Sequence, residues 1–381
     1  MMQLRGLRKL NRLAGMNINV IKYWIVASSI FALVVMARAF QISHVGATKT
    51  IVGTDLSLLN YYERQGTIYQ SNSEPVNVLQ MLKGMGINCI RLRLFTSSAA
   101  QAQADPYDYI NNLTYTVPLA QQVKTNGLQF LLDLHYSDTW AGRGKQVTPS
   151  TWTNLTFTQL LLEVRDYSSN TIAAFKSAGA MPDFVQVGNE IDGGILWPYG
   201  EVDGNHDTPA QWAQLGKLLD AGIQGIKDAC GTNMPKIVIH IAQGQNWGFT
   251  KSFFDKLVRQ QVPFDIIGET YYPVYDEPLC DLSNCFSNTV QRYDRPAWIV
   301  ETAFPWGSRT STNVIGFPVS FSGQVAYVHA LARTIKALPT GSGSGIFWWG
   351  AECPGDKDWS WFDEDANLLP VASAFGKQSW R

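Results

Sequence analysis

Charge is scarce in this chain: only 16% of its 381 residues are Asp, Glu, Lys or Arg, against about 25% in an average soluble domain. Lys plus Arg number 30 and Asp plus Glu 31, so the formal net charge is −1 and no general basic surface points to nucleic acid. Histidine and cysteine occur five times each, and no pair has the spacing of a zinc site or of a helical two-ligand motif. The first apolar run leads into Gly53-Thr-Asp-Leu-Ser57, which is not the glycine-rich turn that cradles a dinucleotide. Low-complexity tracts and interdomain linkers are missing as well. With 45% hydrophobic residues, the chain is too apolar to be disordered. What it has in quantity is aromatic surface, 13 Trp, 15 Tyr and 18 Phe, suited to stacking more than to ion pairing.

The scarcity of acids is complete at one end. Residues 1–39 hold Arg5, Arg8, Lys9, Arg12, Lys22 and Arg38 and no acid, which leaves 24 bases against 31 acids, a net −7, for residues 40–381. Tyr23 to Ala37 is an uncharged apolar run of 15 residues, shorter than the roughly 20 of a spanning helix. Ala37-Arg38-Ala39 follows it as a small-x-small site. Residues 1–39 therefore read as a secretory signal peptide or as an uncleaved signal-anchor. Residues 40–381 read as the exported domain, a monomer that meets the membrane only through an uncleaved leader. In an oxidising compartment Cys280 and Cys285, flanking a short polar stretch, are spaced to close a small disulfide. Cys89 lies in an apolar run and reads as a buried thiol. Asn112-Leu-Thr and Asn154-Leu-Thr are glycosylation sequons.

Beyond the leader, apolar strand patterns alternate with helical ones. Strands are expected over 51–57, 88–95, 128–137, 183–190, 236–244, 265–273, 296–304 and 345–352. Helices are expected over 74–85, 109–126, 157–179, 209–229, 250–261, 281–293 and 322–338, several closed by a glycine, as at Gly84, Gly127 and Gly179. Near-continuous apolar strands alternating with helices indicate a parallel sheet covered on both faces. Eight such units close most simply into a single (β/α)8 TIM barrel, an α/β fold, with a doubly wound sheet as the competitor.

Polar or aromatic residues stand at the C-terminal end of each of the eight strands, the face where such barrels carry their active sites. They are Asp55, Arg91 and Arg93, His135 and Asp138, Asn189 and Glu190, His240, Tyr271 and Tyr272, Glu301, and Trp348 and Trp349. Glu190 and Glu301 end the fourth and seventh strands, which face each other across the mouth. A carboxyl at the end of an apolar strand is paired, hydrogen-bonded or used. Two facing ones suit a glycosidase, in which one is kept protonated as an acid and the other ionised; a retaining enzyme holds them about 5–5.5 Å apart. Arg91 is assigned to the site, keeping Glu301 ionised, and Arg93 to an ion pair facing the helices. His135 and His240 are expected to touch sugar hydroxyls rather than bind a metal with Asp55 or Asp138. Trp140, Trp197, Trp247, Trp306 and Trp349 offer indole faces to sugar rings.

These stretches carry a resemblance. Gly53-Thr-Asp-Leu-Ser, Asn88-Cys-Ile-Arg-Leu-Arg, His135-Tyr-Ser-Asp-Thr-Trp-Ala, Gly188-Asn-Glu-Ile-Asp-Gly-Gly-Ile-Leu-Trp-Pro and Val300-Glu-Thr-Ala-Phe-Pro-Trp occur in order, one per strand. With Trp361-Phe-Asp and Asn367-Leu-Leu-Pro near the end, they resemble glycoside hydrolase family 53 of clan A, the arabinogalactan endo-β-1,4-galactanases. The resemblance implies a retaining endo-hydrolase of β-1,4-galactan that requires no cofactor or metal. It makes Glu190 the acid/base, Glu301 the nucleophile and Asn189 the contact to the sugar 2-hydroxyl. Asp55, Arg91, His135, Asp138, Trp140, Trp197, His240, Tyr272, Trp306 and Trp349 are its candidate substrate-binding residues. Three stretches depart from the family pattern: Tyr272-Pro-Val-Tyr-Asp276, Ala242-Gln-Gly-Gln245 and Gly350-Ala351. All three alter sugar-binding walls, so another β-linked hexose polysaccharide is the alternative substrate, and a silent carbohydrate-binding barrel the alternative class. Asp356, Asp358, Asp363, Glu364 and Asp365 read as a solvated acidic face, with a Ca²⁺ site as the alternative.

Overall fold

The computed structural model describes residues 50–276, 278–307, 312–338 and 345–376; the leader expected over 1–39 lies outside them. All eight expected strands are present: β1 (Ile51–Asp55), β2 (Cys89–Leu94), β3 (Gln129–Leu134), β4 (Phe184–Val187), β5 (Lys236–Ile241), β6 (Ile266–Thr270), β7 (Ala297–Thr302) and β8 (Gly345–Trp348). They pair in parallel as a closed barrel, each beside its neighbour in sequence and β8 beside β1. The helices that cover it are α1 (Val78–Met85), α2 (Leu113–Thr125), α3 (Phe157–Ser177), α4 (Pro209–Cys230), α5 (Trp247–Arg259), α6 (Leu279–Tyr293), α7 (Phe321–Lys336) and α8 (Pro370–Phe375). This is the (β/α)8 barrel.

Strand alternation explains both sides of the wall. In β2 the residues Ile90, Leu92 and Leu94 join the large core between sheet and helices. The inward set forms a separate apolar plug: Ile51, Cys89, Leu131, Phe184, Val238, Ile266, Trp298, Val300 and Phe347. Two positions further along four of these strands stand Arg91, Asp133, Gln186 and His240, all fully buried. A polar layer thus sits directly on an apolar one, and it is this layer that carries the site.

Helix ends follow their local signals. Asn77, Asn112, Thr156, Thr208, Asn246 and Ser320 each cap the helix that follows through a side-chain oxygen. Gly84 does not end α1 as expected. It lies inside the helix, and Gly86, at φ 106°, is the stop. Three short helices (Leu59–Arg64, Ala99–Ala104, Pro106–Tyr109), α8 and three two-stranded hairpins had no counterpart in the expected pattern, being too short for their periodicity to register. Among the described residues no helix is long and apolar enough to cross a membrane.

Two expectations about loops are corrected. Cys280 and Cys285 do not flank a loop: both lie on α6 and both are free. Five helical positions put their side chains roughly 140° apart, so Cys285 is buried beside Thr250 while Cys280 faces solvent. Asn112 is spent as the cap of α2, accepting from the Tyr115 N–H; of the two sequons only Asn154 is exposed. Cys89 is the buried thiol expected.

Candidate active site

The end of β4 is bent sharply. Gly188 (φ 86°) and Glu190 (φ 45°) both lie in the left-handed region, and a Cβ on Gly188 would stand 2.5 Å from Ile191. A non-glycine residue held there stores about 1–3 kcal/mol of strain. Gln146 pins the turn by donating to the Asn189 carbonyl at 2.8 Å. The bend throws Glu190 across the barrel mouth toward Glu301 on β7. One oxygen of each carboxyl and a ring nitrogen of His240 lie within 4.8 Å of one another.

Arg91 organises the charges beneath. Its guanidinium is 2.8 Å from Asp133, 2.9 Å from Glu301 and 3.2 Å from Asp55, and it donates to Asn189 Oδ1 at 2.9 Å. Burial works against the arginine's charge, but Asp133, Glu301 and Asp55 more than offset it and push its pKa up. Burial likewise raises Asp133, yet Arg91 and then His135 outweigh that and hold it below the usual carboxylate range. Glu301 is pushed up to about 8, by burial first and by Glu190 and Asp133, with Arg91 pulling the other way. Glu190 is raised too, mainly by burial. Two carboxyls this close titrate as a pair, and the pair keeps a proton at neutral pH. Its place is Glu190, because among the described residues only Glu301 of the two touches a cation, and it also accepts the Tyr272 hydroxyl at 3.0 Å.

The mouth opens into a cleft of about 670 Å³ lined by both glutamates, Tyr272, Tyr275, Val314, Trp349 and Trp359. Of the expected substrate-binding residues, Tyr272 and Trp349 face it. Trp140 stands edge-on to Trp349, ring centroids 5.9 Å apart. Asn189 lies under Glu190, its Nδ2 donating to the Ala141 carbonyl at 2.8 Å.

Several expectations are corrected here. His135 has both nitrogens occupied, by Asp133 at 2.9 Å and by the Ala141 N–H at 3.0 Å, and His240 is likewise enclosed. Neither histidine offers an atom to a sugar. Asp138 braces the loop after β3 by accepting from Thr96, Gln101 and Ser150. Asp55 is an internal counter-ion to Arg91 and Arg93 and an acceptor for Ser57. Arg93 does not face the helices: it points inward as Arg91 does, with Trp140 and Trp349 over it at 4.3 and 4.6 Å. Trp197 donates its indole N–H to Gly193, and Trp306 packs on Phe321 under Lys357, so these two buttress the loops. The acidic stretch near the end is partly an internal scaffold, as Asp363 accepts from Asp365 and Asn367.

Asp133, Gln186, Thr270, Tyr275 and Trp359 were not anticipated. The first two had a signal: an acid inside Leu131-Leu-Asp-Leu134 and an amide inside Phe184-Val-Gln-Val187, each at an inward position two residues beyond the plug. Tyr275, 84% exposed at the cleft rim, lies in one of the departures from the family pattern.

Glu352 is a further buried carboxyl behind Trp349. It accepts from the Leu58 N–H at 2.8 Å, and burial, then Asp55, pushes its pKa up to about 8. The unfolded chain loses that proton near pH 4.5 while the folded chain keeps it. Stability therefore falls as pH rises between about 4.5 and 8, by up to about 1.4 kcal/mol per pH unit for such a group. Glu352→Gln keeps the shape and the acceptor and removes this contribution. In thermal unfolding at pH 5, 6.5 and 8, the variant gains on the wild type at each step upward; parallel curves contradict the assignment.

Comparison with known proteins gives consistent results. The model of glycosyl hydrolase family 53 matches residues 51–378. An uncharacterized protein in the bgaB 5' region of Niallia circulans is 36% identical over 324 residues, covering 81% of this chain and 86% of the relative. Arabinogalactan endo-beta-1,4-galactanase A of Emericella nidulans is 31% identical over 315 residues, covering 80% and 85%. Among solved structures, the GH53 catalytic domain of Ignisphaera aggregans superposes with a TM-score of 0.75 at 31% identity, covering 85% of this chain and 95% of that one.

Proposed function

The chain belongs to glycosyl hydrolase family 53 and is a glycoside hydrolase, and we propose that it cleaves β-1,4-galactan internally with retention of configuration. The single observation that carries this reading is the pair of facing carboxyls, oxygens within 4.8 Å, of which only Glu301 touches a cation. That short separation suits direct attack by a carboxylate on the sugar, as in retaining enzymes, and falls below the roughly 6.5–9.5 Å of inverting ones.

In the first step a Glu301 oxygen attacks the anomeric carbon while Glu190 gives its proton to the departing glycosidic oxygen. The carbon–oxygen bond breaks and a galactosyl ester forms on Glu301. In the second step Glu190, now a carboxylate, takes a proton from water as it attacks the same carbon, and Glu301 leaves. Arg91 and Tyr272 receive the charge that returns to Glu301. Asn189 contacts the 2-hydroxyl, a bond that strengthens as the ring becomes oxocarbenium-like. Trp349 supplies the apolar face beneath the sugar, and Tyr275 and Trp359 extend that surface along the cleft. The protein acts as an exported monomer, delivered by the leader in residues 1–39.

The test is digestion of β-1,4-galactan by the purified protein, with products followed by chromatography and the first-formed anomer by proton NMR. Short galacto-oligosaccharides released as the β-anomer are expected. Activity confined to mannan or glucan, or an α-anomer, overturns the proposal.

A further inference from the structure

Behind Glu190 lies a chain of hydrogen bonds whose direction is imposed at one end. The backbone N–H of Glu190 donates to His240 Nδ1 at 3.3 Å, and a backbone nitrogen is never the acceptor. The Gln186 amide nitrogen also lies 3.0 Å from Nδ1. Asn189 Oδ1, at 3.0 Å from the same atom, already accepts from Arg91 at 2.9 Å, and the Glu190 N–H leaves Nδ1 as the acceptor. The imidazole is fully buried and neutral, so its hydrogen is on Nε2. Nε2 donates to Thr270 Oγ1 at 2.8 Å. With that lone pair taken, the Thr270 hydroxyl hydrogen goes to Glu190 Oε1 at 3.0 Å.

Thr270 points into the barrel by ordinary strand alternation, two residues beyond Gly268, whose Cβ position faces Val238 and Val300 of the plug. Between β6 and β7 the register slips, Glu269 pairing with Ile299 and Thr270 with Glu301. The extra residue, Val300, is on β7, so the bulge turns Glu301 inward and brings it level with Thr270, which is only 4% exposed and reaches the Glu190 carboxyl at the end of β4.

We propose that Thr270 is a positioning residue for the acid/base, fixing the transferable proton on the outer oxygen of Glu190. Both oxygens accept a hydrogen bond, Oε1 from the Thr270 hydroxyl at 3.0 Å and Oε2 from the Arg143 N–H in the loop after β3 at 3.2 Å. Oε1, facing the oriented hydroxyl, keeps the carbonyl role, while a protonated Oε2 retains a lone pair for the longer Arg143 contact, so the proton sits on Oε2. His240 fixes the direction of the donation without touching substrate. This inference rests on the reading of Glu190 as the acid/base.

The experiment separates proton delivery from general structure. Thr270→Val, Thr270→Ser and Glu190→Ala are compared with the wild type on β-1,4-galactan and on 2,4-dinitrophenyl β-galactobioside, whose leaving group departs without a proton. Thr270→Val is expected to lower kcat/KM on galactan by about 10–100-fold. On the dinitrophenyl substrate it stays within about threefold of wild type, since the attack by Glu301 is untouched. Thr270→Ser recovers most of the loss on galactan. Unfolding midpoints for each variant confirm that folded protein is assayed. An equal loss on both substrates, or none on galactan, overturns the role of Thr270. If Glu190→Ala also shows no dependence on the leaving group, it is the acid/base assignment itself that falls.

Discussion

Glu301→Gln lowers kcat on β-1,4-galactan by about 10⁴-fold or more, equivalent to about 5.5 kcal/mol of barrier. The substitution is nearly isosteric and removes the nucleophile, so no galactosyl ester forms. The fold survives it, because the buried carboxyl it replaces is costly. Glu301 is pushed up to about 8 by burial and by Glu190 and Asp133, against the pull of Arg91. A neutral amide relieves that repulsion but leaves one ionic contact of Arg91 unanswered. The two effects are opposed, and the unfolding midpoint is expected to move little. Circular dichroism melts beside steady-state rates, with mass spectrometry for a trapped glycosyl adduct in the wild type alone, check all three expectations. A Glu301→Gln enzyme with more than about 1% of wild-type activity removes the nucleophile from Glu301.

Arg91→Met has the opposite balance, with a large loss of both stability and activity. The guanidinium is the shared partner of Asp55, Asp133 and Glu301 and a donor to Asn189, all buried. Removing the cation from such a cluster costs about 3–5 kcal/mol, which in a barrel of this size lowers the unfolding midpoint by roughly 4–7 °C. Asp55 keeps Arg93 at 3.3 Å; Asp133 keeps only His135 and the Gln186 amide. Without Arg91 the Glu301 carboxyl rises further, so what activity remains shifts to higher pH. Arg91→Lys restores a charge but not the fork that reaches three carboxylates at once, and falls between the two. Thermal unfolding and pH–rate profiles of the three proteins order them; a methionine variant as stable as wild type contradicts the network.

Much of this architecture was legible in the sequence, for a reason particular to barrels. A strand covered on both faces is a continuous apolar run, so a polar residue within or just after it is conspicuous. That is how Glu190, Glu301, Arg91, Asn189, Tyr272 and Trp349 stand out before any coordinates. The same rule also selects Asp55, His135, Asp138 and His240, and there it stops discriminating. A strand-end position says that a side chain lies near the mouth, but not which neighbour fills its polar atoms. His135 and His240 have both nitrogens engaged within the protein, and Asp138 is held by the loop it braces. The Cys280–Cys285 pairing failed for a related reason: spacing alone does not say that both residues share one helix.

The sequence by itself determined the eight strands, seven of the eight helices and the two glutamates at the strand ends, because strands and helices follow from periodicities of two and 3.6 residues and a polar residue ending an apolar strand stands out. Only the tertiary structure decided how a polar layer tolerates burial. Hydrogen-bond capacity is shared among strands distant in sequence: Arg91 is divided among three carboxylates, His240 is oriented by β4 and passes its hydrogen to β6. Which groups remain free to meet a sugar is what is left after those internal demands are met, and that remainder is written in no single strand.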